Sequence, residues 1–285
     1  MTDPGDRPLD CLVIGAGPAG LTAAIYLARF GRPFAVVDSG APRAAWIPTS
    51  HNIPFFAEGI AGTDILARER AHVARYGMEI VAGTVTGLVR EADGFRADLA
   101  REGGPHSIRA RRVLLATGAV DEEPDLPDLP DAVRRGLVRY CPICDGYESR
   151  GRRIAVIGHG ARGLGEAAYI ARTYSGDVTL LTLGRRLELD DAQRATVDTH
   201  GLTVVEEPIA ALEVKDGRIA ALRSGSGREH RFDILYSALG LRYRTELALA
   251  LGARHDGRGA LVVDGHCRTS VPGLYAAGDV VRGID

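Results

Sequence analysis

Short apolar runs that stop at glycine alternate along this chain with segments of helical period. Residues 12–20 read LVIGAGPAG and residues 155–163 read AVIGHGARG, so Gly15, Gly17 and Gly20 map onto Gly158, Gly160 and Gly163. In both places an apolar run predicts a buried parallel strand, and a glycine turn comes after it. A small-residue helix is next (LTAAIYLARF, LGEAAYIART), then a second strand (FAVVD, DVTLLT). Each half is therefore a βαβ unit.

A second echo extends the repeat. RVLLATGA (112–119) matches FDILYSALG (232–240), an apolar strand ending in a small residue and glycine. Before each lies a pair of alternating strands with a polar turn: FRADLA and SIRARR around Arg-Glu-Gly-Gly-Pro, IAALEV and RIAALR around Lys215-Asp216-Gly217. The predicted class is α/β, with two Rossmann-like nucleotide-binding modules. Each is a parallel sheet with helices plus a β-meander. Residues 121–130, DEEPDLPDLP, are expected to be an extended connection because proline disfavours helix there. GLRYRTE (240–246) closes the second module, and GLYAAGD (273–279) is a strand and turn expected to return to the first. The second module is then inserted into a discontinuous first one, as 1–119 with 245–285 and 120–244.

Composition narrows the function. The 285 residues are 45% hydrophobic and 25% charged, which is ordinary for a folded domain. Thirty-five basic against 37 acidic residues give a net charge of −2, so no nucleic-acid or membrane-surface partner is expected. No apolar run approaches a membrane span, and Asp3, Asp6 and Asp10 precede the first apolar stretch, unlike a secretory leader. A cytoplasmic location is expected. Glycine is abundant, at 36 residues, without a collagen period. Lys215 is the single lysine, in a turn, which disfavours P-loop and Schiff-base chemistry. No HExxH pair occurs, and no metal site is expected.

The two glycine turns lead to different strand ends. At Gly15-x-Gly17-x-x-Gly20 the glycines permit a tight turn, backbone approach to a pyrophosphate and close helix packing, and the helix start faces the anion. Asp38 ends the next strand, where its carboxylate accepts hydrogen bonds from ribose hydroxyls. At Gly158-x-Gly160-x-x-Gly163 no acid stands at the equivalent strand end. Thr182 and Leu183 are there, then Gly184, Arg185 and Arg186. Arginines pair with a ribose 2′-phosphate that an acid would repel, which favours NADPH. Ordinary solvated charge is the plainer reading of the same arginines. His159 is expected to face solvent.

Cys141 and Cys144 stand in CPICDG. Zinc, a structural disulfide, two inert thiols and a redox dithiol are the readings to weigh. Zinc needs two further ligands, and Cys11 and Cys267 are isolated, Cys11 inside an apolar strand. A redox pair suits two nucleotide sites, because one thiolate attacks a disulfide and its neighbour resolves the mixed disulfide. A flavin relay then joins nicotinamide to the pair. Asp145 is a candidate proton donor or acceptor for the thiols, or a turn residue before Gly146.

With GAGPAG (15–20), ATG (116–118), CPICDG (141–146), GHGARG (158–163) and GLYAAGD (273–279) in that order, the chain resembles the low-molecular-weight thioredoxin reductases, in particular their atypical relatives. The resemblance implies FAD in the first module, held by Gly15, Gly17, Pro18, Ala19, Gly20, Asp38 and Ser39. Ala116, Thr117 and Gly118 turn near the cofactor, and Gly278 and Asp279 lie at the ribityl chain. It implies NADPH on Gly158, Gly160, Gly163, Arg185 and Arg186 of a second module that rotates as a block. Cys144 then faces the flavin and Cys141 attacks the substrate, a thioredoxin-like protein or a small-molecule disulfide. Family members are commonly homodimers.

Four departures qualify the resemblance. SGAPRAAWIPTSHNIPFF replaces the usual Gly-Gly-Gln stretch and brings Trp46, His51 and Asn52 to the expected flavin region, with His51 either a local proton donor or a structural residue. The arginine signature is reduced to Gly184-Arg185-Arg186, and some atypical relatives use another electron donor. CPIC is not the commonest pair, which leaves the substrate open. The sequence ends at Val280-Val281-Arg282-Gly283-Ile284-Asp285, where the family continues into one more helix facing the flavin pyrimidine. A chain ending there is expected to hold FAD less firmly. Rival readings are a thioredoxin-reductase-like dithiol oxidase, whose members commonly carry His at the place of Asp145, and a non-catalytic redox sensor.

Overall fold

The computed structural model describes residues 8–125, 129–215 and 218–283. In chain order the elements begin with β1 (Cys11–Ile14), α1 (Pro18–Arg29), β2 (Phe34–Asp38), α2 (Gly62–Ala74) and β3 (Ile80–Ala82). A meander comes next, β4 (Thr84–Glu91), β5 (Gly94–Ala100) and β6 (His106–Ala110), then β7 (Val113–Leu115) and β8 (Ala119–Asp121). After these are α3 (Leu129–Arg134), β9 (Val138–Arg139), α4 (Pro142–Asp145), β10 (Ile154–Ile157), α5 (Gly160–Thr173), β11 (Val178–Leu181), α6 (Asp191–Thr199) and β12 (Thr203–Val205). The chain closes with β13 (Ile209–Lys215), β14 (Arg218–Ser224), β15 (Glu229–His230), β16 (Ile234–Ser237), β17 (Leu241–Tyr243), α7 (Glu246–Leu249) and β18 (Leu274–Ala276).

Two units carry these elements: one holds the chain up to Ala45, Thr63–Val120 and the chain from Arg242, the other Trp46–Gly62 and Asp121–Leu241. The first unit has a five-stranded parallel sheet ordered β18-β7-β1-β2-β3, and an antiparallel sheet β4-β5-β6. The second repeats the order as β9-β16-β10-β11-β12, with antiparallel β13-β14-β15. The outermost strand beside β7 returns from the far end of the chain, as the GLYAAGD segment predicts.

Alternation along the central strands explains why both sheets are buried on both faces. Leu12 and Ile14 of β1 pack with Leu88, Phe95 and Ala97 of the meander, while Val13 faces Leu21 and Ala24 of α1. In β10, Ala155 and Ile157 join Leu212 and Leu222, while Ile154 and Val156 meet Leu164, Ala167 and Ile170 of α5. The glycine turns thus leave a rigid sheet and enter a helix at a fixed height.

Three expectations need correction. Both meanders have three strands, not two, through β4 and β15. The chain crosses between units after Val120 and after Leu241, and 46–62 belongs to the second unit. That loop closes on itself through Ser50 and Ile60 and reaches Glu148 through His51 at 3.6 Å. The connection 121–130 is not extended to its end, since α3 already includes Leu129 and Pro130. Proline is tolerated in a first helical turn because the amide it lacks has no partner there. Residues 126–128, Asp216 and Gly217 lie outside the described residues.

Candidate functional site

The first glycine turn is fixed by close packing. A Cβ on Gly20 would run into the carbonyl oxygen of Gly15, and a Cβ on Gly15 (φ 104°) into that of Ala116. Gly17 differs: nothing lies within 4 Å of where its Cβ would be. Its missing side chain serves no internal contact and leaves the start of α1 open to an approaching group. Pro18 occupies the first turn of α1, with Ala19 and Gly20 after it. Asp38 closes the turn from β2, with its Oδ1 accepting the Ala16 amide at 3.0 Å and its Oδ2 accepting Arg70 Nη2 at 3.2 Å. Ser39, next in line, is exposed.

Directly beside this turn, where Ala116 meets Gly15, Thr117 Oγ1 donates to the Arg244 carbonyl at 2.6 Å, and the Arg244 amide donates to the Gly118 carbonyl at 3.0 Å. Gly278 has φ 78°, and its hypothetical Cβ would meet Ala19 at 2.7 Å, so GLYAAGD and GAGPAG abut. Asp279, half exposed, accepts Arg43 Nη1 at 3.1 Å. The open space beside Gly17, a helix start and a carboxylate at the strand end fit the adenosine diphosphate half of FAD.

The second turn repeats this geometry without the acid. Gly163 packs on Gly158, and nothing lies within 4 Å of a Cβ on Gly160 (φ 59°). Thr182 is buried, and its hydroxyl donates to the Arg185 carbonyl, folding the 182–185 turn back on itself. Arg185 Nη1 lies 2.9 Å from His159 Nε2 in a contact that is itself exposed to solvent. Arg186 is exposed.

Cys141 and Cys144 form a disulfide across α4, with Cys144 exposed and Cys141 half-buried. The bond removes the inert-thiol reading. The Cys144 amide donates to the Cys141 carbonyl at 2.9 Å, which fixes the turn between them. Asp145 continues the same turn with a largely buried carboxyl. Its Oδ1 accepts the Tyr236 hydroxyl at 2.8 Å, and Arg139 Nη1 stands 3.8 Å from Oδ2 and donates to the Asp145 carbonyl at 2.8 Å. Burial raises the Asp145 pKa above the usual carboxylate range, and Arg139 and the Tyr236 hydrogen bond oppose the rise. Ile143 and Tyr147 flank the pair in the open, with Arg150 stacked 4.4 Å from the Tyr147 ring.

Asn52 sits in the 46–62 loop of the second unit, where its Oδ1 accepts Ser50 Oγ at 2.7 Å. Cys11 is largely buried in β1 and its thiol is pushed up to about 11, which makes it inert; Cys267 is exposed. Sequence reasoning missed Arg70, Arg43, Arg139, Ser149 and Tyr236. Only Tyr236 carried a signal, a hydroxyl inside the apolar run ILYS.

The family model described as pyridine nucleotide-disulphide oxidoreductase matches residues 9–285. The thioredoxin reductase of Listeria monocytogenes is 30% identical over 96% of this chain and 86% of its own length. The thioredoxin reductase of Treponema pallidum is 29% identical over 95% of this chain and 88% of its own. Among solved structures, HlmI superposes with a TM-score of 0.87 at 33% identity, covering 99% of this chain and 87% of that one. The thioredoxin reductase of Streptococcus pyogenes gives 0.85 at 25% identity, covering 97% and 90%. The chain belongs to the pyridine nucleotide-disulphide oxidoreductases, in their thioredoxin-reductase-like group. It is an FAD-dependent NAD(P)H-disulfide oxidoreductase. Among the described residues no helix is long and apolar enough to cross a membrane.

Proposed function

We propose that the chain passes electrons from NADPH to the Cys141–Cys144 disulfide and on to a thioredoxin-like protein or a small-molecule disulfide. The observation that carries this reading is the disulfide itself, presented with Cys144 exposed in the unit that also bears the acid-free glycine turn. In this reading Gly15, Gly17, Gly20 and Asp38 hold the FAD diphosphate and ribose, and Gly118, Gly278 and Asp279 border the rest of the cofactor. Bound FAD supplies a two-electron store between nicotinamide and disulfide.

The chain's own residues do the remainder. Gly158, Gly160 and Gly163 bring backbone amides to the nicotinamide dinucleotide, and Arg185 and Arg186 face its 2′-phosphate. Opening the disulfide takes up two electrons and two protons, and Asp145 holds one of those protons for the departing sulfur. Cys144 is the sulfur nearer the cofactor, and Cys141 attacks the substrate disulfide to form a mixed disulfide that Cys144 resolves. The assembly is a homodimer, and the location cytoplasmic.

Anaerobic addition of NADPH to the purified protein, and then of a disulfide substrate, tests the reading. Bleaching of the flavin and then turnover of the disulfide is the expected result. Bleaching by a small dithiol but not by NADPH would replace this direction with a dithiol oxidase. Arg186→Ala should raise the KM for NADPH and leave that for NADH unchanged; equal effects on both would remove the 2′-phosphate assignment.

A further inference from the structure

Tyr236 is fully buried in β16, between Leu235 and Ser237, where a phenylalanine would fill nearly the same volume with no hydroxyl to satisfy. Its hydroxyl lies 2.8 Å from Asp145 Oδ1 and 3.1 Å from Ser149 Oγ. Ser149 is itself buried, and its Oγ donates to the Gly146 carbonyl at 2.8 Å. The chain of atoms therefore runs from a carboxyl, through two hydroxyls, to a carbonyl that only accepts.

Such a chain is satisfied in both charge states of Asp145. With the carboxylate ionised, Tyr236 donates to it, and the Ser149 proton is shared between the Tyr236 oxygen and the Gly146 carbonyl. With the carboxyl protonated on Oδ1, the whole chain reverses: Asp145 donates to Tyr236, Tyr236 to Ser149, and Ser149 to Gly146. Neither state orphans a polar atom of this chain, and orphaning one is the main cost of moving a proton in a buried site. The relay ends on a carbonyl, so the proton has no onward path through it.

We propose that Tyr236, braced by Ser149, is a positioning residue for the thiol–disulfide chemistry, fixing the Asp145 carboxyl one residue after Cys144 and accommodating it with and without its proton. This rests on Asp145 being the proton carrier for the cysteine pair. The other charged or titratable groups around Asp145 are Arg139 on β9, Glu148 in the next turn with His51 at 3.6 Å from it, and Tyr174 at the end of α5 with Arg150. Tyr236 reaches the carboxyl through a neutral hydroxyl able to switch between donor and acceptor, which none of these charged groups can do.

Alkylation of Cys141 and Cys144 in the reduced holoenzyme by iodoacetamide, followed for those two residues by peptide mass spectrometry between about pH 5 and pH 9, tests the proposal, because the rate reads the thiolate fraction. Wild type, Tyr236→Phe, Asp145→Asn and the double variant are compared. Beside the ionisation of the thiols themselves, wild type should show a second inflection that Asp145→Asn abolishes. Tyr236→Phe removes the donor that favours the carboxylate, so the inflection should move up by about one pH unit, tenfold in the protonation equilibrium. Ser149→Ala leaves Tyr236 without an acceptor when the carboxyl is protonated, so it should move the inflection down, by less than about one unit. In the Asp145→Asn background the Tyr236 change should alter the profile by less than about twofold. An unmoved inflection in both Tyr236→Phe and Ser149→Ala, or equal effects of Tyr236→Phe in both backgrounds, would overturn the positioning role while leaving Asp145 as the carrier. Survival of that second inflection in Asp145→Asn would overturn both readings, and is distinguishable from those outcomes.

Discussion

The backbone amide of Ala16 donates to Asp38 Oδ1 at 3.0 Å, tying the glycine turn after β1 to the end of the neighbouring strand. Asp38 therefore has a structural duty as well as the ribose-binding one proposed for it. Asp38→Ala should weaken FAD binding by roughly tenfold to a hundredfold and cost about 1–2 kcal/mol of stability, since a charged acceptor is lost. Arg70→Ala should cost less than about 1 kcal/mol, because that ion pair is half-exposed on the arginine side. Flavin titration and thermal melts of the two variants check the contrast; equal losses would contradict it.

Gly17 and Gly20 separate binding from folding. Gly17→Ala introduces a methyl into open space at an ordinary φ of −77°, so the melting temperature of the cofactor-free protein should not change. Its FAD affinity should fall by roughly tenfold or more, as the methyl stands where the pyrophosphate approaches. Gly20→Ala drives a methyl into the Gly15 carbonyl and should destabilise the fold by about 1–3 kcal/mol before any ligand is added.

Glu166 on α5 is raised to about 7 by burial, and its Oε1 has no hydrogen-bond partner among the described residues. A carboxyl whose folded pKa lies above its unfolded value binds its proton more tightly when folded. Stability is then lost as pH rises from about 4.5 through about 7. Glu166→Gln should remove that slope and gain about 1–3 kcal/mol on wild type at pH 8, with little difference near pH 4. Melting curves at the two pH values decide it, and a parallel offset at both would show that charge is not the cause.

The four cysteines should divide by reactivity. In the oxidised protein Cys267 alone should take an alkylating label at neutral pH, since Cys11 is held at about 11 and the other two are bonded. Reduction should add label at Cys144 and Cys141. Labelling of Cys11 in the folded protein, read by peptide mass spectrometry, would contradict its burial.

Most of the fold was legible because both sheets obey a simple rule. A strand covered on both faces reads as an unbroken apolar run, so β1, β2, β10, β11 and β16 stood out, and the glycines after β1 and β10 marked where helices begin. The edge strands β3, β12 and β15 are only two or three residues long, too short for such a run to be told from its surroundings. Helix α6 was announced only by its capping box, Asp190 with Gln193, which requires reading polar residues as helix starts. The 46–62 loop was misassigned because chain order suggests the first unit, whereas its partners, Gly136 and Glu148, come from the second. At the site, CPICDG was explicit, but Arg139 and Ser149 were not. A lone arginine or serine acquires meaning only once folding brings β9 and the turn after α4 to the same carboxyl.

Counting electrons tests the central claim most directly. Under anaerobic titration with NADPH, wild type should consume about two equivalents per flavin before full bleaching, one for the Cys141–Cys144 disulfide and one for FAD. Cys144→Ser should consume about one and bleach normally. Equal consumption by the two proteins would mean that the cysteine pair is not in electronic contact with the cofactor, and the proposed relay would be wrong.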